Sequence, residues 1–257
     1  MKHIINSLSL ILASTILTAC GSQFTFVQMT DTQIGFQESS VPHYPASTRN
    51  LKTAVEKINA LRPDIVFNTG DLVDNPHIRE ELDIYRNGIA ALDPGIRYQE
   101  LIGNHDSRPA LFDFDHFSFV HKKCAFIGIN TNIIKDSDPR ADRQFEWLKG
   151  ELEKAHRNHC RHIFVFTHCP LFRTDPGEAD DYFNFPAPLR ERYTSLFSEY
   201  GVDAVFSGHL HYSSEGRSGN TLYLTTGSVS LPIGDGRSCF RTVRVGRKGF
   251  DTELVNL

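Results

Sequence analysis

The sequence predicts an α/β fold, a four-layer α-β-β-α sandwich of two packed mixed sheets flanked by helices. Two observations support this class. Short apolar runs of strand length alternate with stretches in which apolar residues recur at helical spacing. After Gly208 short strand-like segments separated by turn residues take over. With 257 residues, 40% of them hydrophobic, the chain can bury a sizeable core.

Apolar runs give the predicted strands, because buried strands are short and continuously apolar. Five runs are typical of buried strands: 24–29, 65–67, 98–102, 163–166 and 204–206. A hairpin is predicted over 117–120 and 124–130. The chain closes with four short strands at 212–216, 221–225, 240–245 and 250–255.

Four amphipathic stretches predict helices between these strands, over 51–61, 78–92, 145–155 and 189–200. The first follows the capping residues Ser47 and Thr48 and stops before Pro63. Pro94 and Gly201 stop the second and fourth. Because the sequence contains no repeat, low-complexity tract or linker, we expect one domain over residues 24–257.

Residues 1–20 are typical of a signal peptide. Lys2 precedes an apolar run, 4–17, that is short for a transmembrane helix. The run ends in Leu17-Thr18-Ala19-Cys20, which resembles the lipobox of bacterial lipoproteins. We therefore expect cleavage before Cys20, lipidation of its thiol and export to the bacterial envelope. An outer-membrane location facing the periplasm is expected in a Gram-negative host, because Gly21 is not the Asp that resembles a retention signal. An ordinary secretory signal with an incidental cysteine is the alternative.

Charge and cysteine content exclude some classes of function. The net charge of −4 without a long single-sign run gives no support for nucleic-acid binding. The four remaining cysteines, Cys124, Cys160, Cys169 and Cys239, match no zinc ribbon or redox pair. We expect buried or free thiols there, with a disulfide as the alternative in an exported chain.

Five polar motifs follow the ends of predicted strands, where open α/β sheets build their sites. They are Asp31-Thr32-Gln33, Gly70-Asp71-Leu72-Val73-Asp74, Gly103-Asn104-His105-Asp106, Thr167-His168-Cys169-Pro170 and Gly208-His209-Leu210-His211. Each motif alone is weak, since a lone Gly-Asp or Gly-His-x-His is often only a turn. All five together, in this order, favour one site with several ligands.

The residue types indicate two divalent metal ions. Two neighbouring ions need a shared anionic ligand, and Asp71 is the natural bridge. Asp31 and Gln33 should point the same way if the segment is extended. His209 and His211 have the same spacing, so a tight turn can give each ion one imidazole.

Asn104 and His168 complete the set of ligands for the second ion in this interpretation. Two carboxylates against two divalent ions leave the site positive, which suits a phosphate and a bridging hydroxide.

The series resembles the calcineurin-like metallophosphoesterase superfamily over about residues 24–257, and within it the calcineurin-like phosphoesterase domain-containing phosphatases. The latter share the Gln of the first motif, a His-x-Pro-Leu-Phe run like 168–172 and an Asp-Asp-Tyr-Phe-Asn segment like 180–184. The resemblance implies a first metal on Asp31, Gln33, Asp71 and His211, and a second on Asp71, Asn104, His168 and His209. It also implies that His105 meets the substrate and protonates the leaving oxygen.

His105 suits this role physically, because histidine titrates in the range that a leaving alkoxide needs. Asp74 is expected to orient it, as an aspartate at the matching place does in the superfamily's protein phosphatases; the alternative for Asp74 is helix capping. Those phosphatases carry an arginine where this chain has Asn75, so a phosphate clamp is missing there. Purple acid phosphatases use a tyrosine at the Asp74 position. Gln33 replaces the more usual His, which favours Mn or Fe over Zn.

These inferences lead to a binuclear metallophosphoesterase that uses Mn, Fe or Zn and is most simply a phosphomonoesterase. A phosphodiesterase acting on nucleotides or glycerophospho compounds is the first alternative, and a non-catalytic binding lipoprotein is the second. Asn104 and His105 are expected to contact the substrate. Three further residues of the loop after His168 are tentative substrate contacts: Arg173, Tyr182 and Asn184.

Overall fold

Two mixed sheets form the centre of the protein. The computed structural model describes residues 23–106 and 116–257, so the predicted signal peptide and Cys20 lie outside the described residues. The strands of the first sheet are β1 (Phe24–Met29), β2 (Ile65–Asn68), β3 (Arg97–Glu100), β10 (Cys239–Val245) and β11 (Phe250–Asn256). They lie in the order β11-β10-β1-β2-β3, and β1, β2 and β3 are parallel.

The second sheet has six strands in the order β4-β5-β6-β7-β9-β8. They are β4 (Phe117–His121), β5 (Cys124–Gly128), β6 (His162–Phe166), β7 (Ala204–Ser207), β8 (Ser214–Ser218) and β9 (Thr221–Thr225). The central strands β5, β6, β7 and β9 are parallel, and an antiparallel strand pairs on each edge.

Phenylalanine side chains from both sheets fill the space between them. Phe26 and Phe67 come from the first sheet and Phe126, Phe166 and Phe206 from the second, all almost fully buried. The rings of Phe67 and Phe166 stack with centroids 4.0 Å apart. Burial of such a side chain stabilises the fold by roughly 1.5–3 kcal/mol, so this layer holds the two sheets in a fixed relation.

Helices cover the outer faces of the sheets. The helices are α1 (Pro45–Leu61), α2 (Arg79–Ile89), α3 (Thr131–Lys135), α4 (Arg140–Arg157) and α5 (Ala187–Glu199). The first two pack on the first sheet, and α3, α4 and α5 pack on the second. The predicted four-layer α-β-β-α sandwich is therefore confirmed. Over the two described ranges, no helix is both long and apolar enough to cross a membrane.

Several predicted boundaries move. The second predicted helix ends at Ile89 rather than at residue 92, and β3 ends at Glu100 rather than at residue 102. The helix α3 was not predicted, since its five residues are too few for a periodic pattern. The Asn130 side chain caps it by accepting a hydrogen bond from the Asn132 backbone N–H at 2.9 Å.

Candidate metal centre

The five motifs occupy loops that follow the carboxyl ends of β1, β2, β3, β6 and β7, all of them in parallel arrangement within their sheets. The topology therefore brings the motifs to one end of the sandwich. Three of their residues form the cluster that best fits a metal ion among the described residues. Ligand atoms of Asp71, His168 and His209 all lie within 4.8 Å of one another, and all three side chains are buried.

The backbone at these ligands is unusual. Five non-glycine residues of the motifs have φ in the left-handed region: Asp31, Gln33, Asp71, His209 and His211. The expectation of an extended segment at Asp31 and Gln33 was therefore wrong, since their φ angles are 49° and 23°. Each such conformation costs on the order of 1–3 kcal/mol and persists only where surrounding structure imposes it. The loops thus hold the predicted ligands at a cost to stability.

Backbone carbonyls fix the tautomers of two of the histidines. His168 Nδ1 donates to the Thr69 carbonyl at 2.9 Å, and His211 Nδ1 donates to the Leu231 carbonyl at 2.8 Å. A carbonyl can only accept, so in the neutral rings the lone pair is on Nε2. His168 Nε2 lies 3.3 Å from Asp71 Oδ2, and His211 Nε2 lies 3.4 Å from Asp31 Oδ1. A lone pair facing a carboxylate oxygen needs a proton or a metal ion between them.

Three buried polar atoms at the centre have no hydrogen-bond partner among the described residues: Asp31 Oδ1, Gln33 Oε1 and His209 Nε2. An unsatisfied buried polar atom costs about 1–3 kcal/mol. All three atoms belong to predicted ligands, and each is the atom that would coordinate a metal ion. Gln33 Nε2 donates to Asp74 Oδ1 at 3.1 Å, which fixes its amide and leaves the oxygen free. The residues present therefore fit a metal centre.

Electrostatics at the cluster also suit metal binding. Burial, and then the neighbouring His168, lower the pKa of His209 to about 3, so the ring is neutral as a ligand must be. Burial alone would raise the pKa of Asp71. His168 and His105 outweigh it and hold that pKa well below its usual value, so the carboxylate is ionised. Burial raises the pKa of Asp31, which a bound cation would reverse.

Asn104 joins the cluster through its amide oxygen. Its Oδ1 lies 3.0 Å from His168 Nε2, while its Nδ2 donates to the Tyr182 hydroxyl at 3.2 Å. The Tyr182 ring lies 5.0 Å from the His209 ring, centroid to centroid, although 61% of the residue remains exposed. Tyr182 thus covers one flank of the centre while remaining accessible to a ligand.

His105 lies at the rim beside the predicted bridge. Its backbone N–H donates to Asp71 Oδ1 at 2.8 Å. Its Nδ1 lies 3.0 Å from the Asp74 carbonyl oxygen and 3.3 Å from Asp74 Oδ1, and its side chain is 37% exposed. The hydrogen bond to Asp74 raises the pKa of His105 to about 9. Asp74 orients this ring in the structure, and the helix cap of α2 is Ile78 instead.

Asp106, to which the sequence interpretation gave no role, connects two loops of the centre. Its buried carboxylate accepts hydrogen bonds from the backbone N–H groups of Gly103 at 2.8 Å and Leu72 at 3.0 Å. It therefore ties the loop that carries Asp71 to the loop that carries Asn104. Its place at the end of Gly-Asn-His-Asp was the available signal.

Two of the tentative substrate contacts are used inside their own loop. Asn184 is fully buried, donates to Glu178 Oε1 at 2.6 Å and accepts from the Asp181 backbone N–H at 2.9 Å. The Arg173 guanidinium pairs with Asp181 at 2.8 Å and with Glu178 at 3.3 Å. These contacts order the loop and pair the Arg173 charge within the chain, so a substrate contact by either residue stays a prediction and is better supported for Tyr182.

Buried carboxylate, amide and imidazole groups at the strand ends of a two-sheet sandwich define a candidate metal-binding protein. Comparison with known proteins makes the class specific. Residues 24–213 match the sequence model of the family described as calcineurin-like phosphoesterase, and the chain belongs to that family. It is a metallophosphoesterase.

Individual relatives agree with this assignment. The chain is 30% identical over 250 residues to the zebrafish (Danio rerio) serine/threonine-protein phosphatase CPPED1, covering 86% of this chain and 81% of the relative. A dimetal phosphatase structure from Danio rerio superposes with a TM-score of 0.66 at 18% identity, covering 89% of this chain and 98% of that one. A purple acid phosphatase from yellow lupin superposes with a TM-score of 0.68 at 17% identity, covering 92% and 52% respectively. At these identities the two structures establish the fold.

Proposed function

We propose that this metallophosphoesterase is a phosphomonoesterase that works with two divalent metal ions. The observation that carries the proposal is the set of buried donors left without partners, Asp31 Oδ1, Gln33 Oε1 and His209 Nε2, around the ionised Asp71. The zebrafish relative that matches over most of both chains is named a phosphatase, which supports cleavage of phosphate monoesters.

The ligands divide between the two ions as the resemblance implies. One ion would be held by Asp31, Gln33, Asp71 and His211, and the other by Asp71, Asn104, His168 and His209. The close approach of His211 Nε2 to Asp31 and of His168 Nε2 to Asp71 supports this division. When bound, divalent ions supply Lewis-acid polarisation of a phosphoryl oxygen and make water acidic enough to act as a nucleophile at neutral pH.

The chain's own residues bind the ester and move its proton. Asn104 and Tyr182 orient the phosphoryl group from one flank. His105 is the general acid: Nδ1 is held by Asp74, so Nε2 donates its proton to the oxygen of the departing alcohol. The raised pKa of His105 keeps the ring protonated at neutral pH before that transfer.

Turnover of a matched pair of esters tests the proposal. We expect the protein, after reconstitution with Mn, Fe or Zn, to hydrolyse p-nitrophenyl phosphate faster than bis(p-nitrophenyl) phosphate, which has the same leaving group. A preference for the diester would favour the diesterase alternative. Absence of turnover with every metal would favour a binding protein and overturn the catalytic proposal.

We also propose that Cys20 carries a lipid anchor and that the protein works outside the cytoplasm, at the bacterial envelope. The support is the lipobox-like sequence before Cys20. Palmitate should label the full chain in the detergent-soluble membrane fraction and should not label the Cys20→Ser variant. Unchanged labelling of that variant would contradict the proposal.

A further inference from the structure

A cavity of about 280 Å³ opens beside the metal centre. Asn104 and His209 from the cluster line it, together with Tyr182 and with Lys135 from α3. A phosphoester held at the cluster therefore lies next to this cavity. Asn104 and Tyr182 are neutral donors. Any protein charge that meets the phosphoryl group at this flank must therefore come from another residue of the lining.

Two cations of the described part of the chain line the cavity, Lys135 and Arg140, and the charge of Arg140 is already neutralised. Arg140 donates to Asp138 through Nε at 2.9 Å and through Nη2 at 2.8 Å. Lys135 differs, because its ammonium contacts no carboxylate among the described residues. It donates to the Tyr182 carbonyl and lies 3.4 Å from Cys169 Sγ, both uncharged partners.

Lys135 is also close enough to act on the cluster. Lys135 lies in the wall of the same cavity as Asn104 and His209. Its ammonium lies 5.3 Å from the centre of the Tyr182 ring. Arg173 cannot take this place, since Glu178 and Asp181 hold its guanidinium. Among the residues that the structure describes, Lys135 is therefore a cation at this flank whose charge is left for a ligand.

We propose that the Lys135 ammonium binds a phosphoryl oxygen of the substrate and selects the dianionic phosphoryl group of a monoester over the monoanionic group of a diester. This inference rests on the proposed function and names the residue behind its substrate preference. The ammonium has three donors on a flexible stem, so it can turn from the Tyr182 carbonyl to an anion. A second negative charge on the phosphoryl group strengthens this contact, whereas esterification removes that charge.

The test compares p-nitrophenyl phosphate with bis(p-nitrophenyl) phosphate in Lys135 variants of the metal-loaded protein. Lys135→Met removes the charge and the donors. Lys135→Gln removes the charge but keeps a donor for the Tyr182 carbonyl, and Lys135→Arg keeps the charge. The matched control is Lys52→Met, which removes an exposed lysine of α1.

We expect Lys135→Met and Lys135→Gln to lower kcat/KM for the monoester about 10–100-fold, as for loss of a charged hydrogen bond, and for the diester about twofold or less. Lys135→Arg and Lys52→Met should stay near wild type. Inorganic phosphate, titrated calorimetrically into the same proteins, should bind about tenfold or more weakly to Lys135→Met and Lys135→Gln. Melting temperatures should remain close to wild type.

Equal losses on both esters, or a Gln variant that behaves as wild type, would show that Lys135 only holds the Tyr182 loop, and the inference would fall. If the wild type prefers the monoester and the Lys135 variants keep that preference, the inference fails while the proposed function stands. If the metal-loaded wild type prefers the diester, both fail.

Discussion

Two histidines at opposite ends of strand β6 differ in whether their ring nitrogens are satisfied by partners within the chain. His162 begins the strand, and its Nδ1 lies 3.0 Å from Asp203 Oδ1 while its Nε2 lies 3.3 Å from the Gly246 carbonyl. His168 follows the other end of the strand, where Nδ1 is satisfied by Thr69 and Nε2 faces Asp71 and Asn104. Both rings are buried. Both ring nitrogens of His162 have partners within the chain, whereas the Nε2 lone pair of His168 faces other predicted metal ligands.

The same contrast holds for the two ends of the sandwich. Near His162, acids are closed in ion pairs, such as Asp64 with Lys122 and His121. At the carboxyl ends of the strands, Asp31, Gln33 and His209 each have a buried polar atom without a hydrogen-bond partner among the described residues. A set of unsatisfied buried polar atoms lowers stability unless a ligand binds them, so substitutions at the two ends should be distinguishable by metal content.

The largest effect on rate is expected from His105→Ala. Loss of a general acid typically costs about 10²–10⁴-fold. An alkyl phosphate, whose alkoxide needs the proton, should lose far more activity than p-nitrophenyl phosphate. Metal content and fold should stay intact, since His105 is not a ligand. Equal losses on both esters would reassign His105 to phosphate binding, and loss of metal would contradict the ligand assignment.

Asp106→Asn should act on metal affinity instead. The amide would place N–H donors against the backbone N–H groups of Leu72 and Gly103, loosening two ligand loops. Changes in such outer contacts typically cost about 10–100-fold in metal affinity or activity. Metal titration against a chelator measures the affinity, with Asp83→Asn, at an exposed position of α2, as the control. An unchanged affinity would show that the loops hold without Asp106.

Gln33→His should change metal preference by a smaller factor. Imidazole is a stronger ligand than an amide oxygen for Zn, so competition between Zn and Mn should move toward Zn. The measurement is the Zn:Mn ratio bound from an equimolar mixture. A variant that loses metal altogether would show that Gln33 is not a ligand or that the left-handed backbone there does not accept an imidazole.

The smallest effect is expected at the closed end, from His162→Gln. The hydrogen bond to Asp203 raises the pKa of His162. The protonated ring therefore contributes stability that is fully present below the unfolded pKa of about 6.5 and is lost as pH rises through the higher folded pKa. The variant should be less stable by about 0.5–1.5 kcal/mol at pH 6, and the difference should shrink toward pH 9. Urea unfolding at both pH values measures it; a pH-independent difference would contradict the ion pair. Metal content should not change.

The sequence predicted the clustering of Asp71, His168 and His209 better than it predicted their surroundings. The ligands follow strand ends directly, and a strand fixes where the next few residues lie. The strands themselves were visible as apolar runs, so Asp71 and His168 could be placed on one edge. Local backbone conformation was not visible, which is why Asp31 and Gln33 were expected on an extended segment.

The flank of the site was harder to predict. Its contacts join residues that are distant in the chain, or neighbours whose pairing no sequence motif indicates. Arg173 and Asn184 looked free by sequence, but Glu178 holds both. Lys135 lies on a helix too short for a periodic signal. Asp106 was seen within its motif, but its bonds to two loops depend on the packing of β2 beside β3.

The most direct test of the central claim is the number of metal ions bound by the active protein. Elemental analysis of a preparation at full activity should find about two divalent ions per chain. In Asp71→Asn, metal content and activity should fall together, the activity by at least about a hundredfold, because both ions share this carboxylate. One ion or none per chain at full activity would contradict the account.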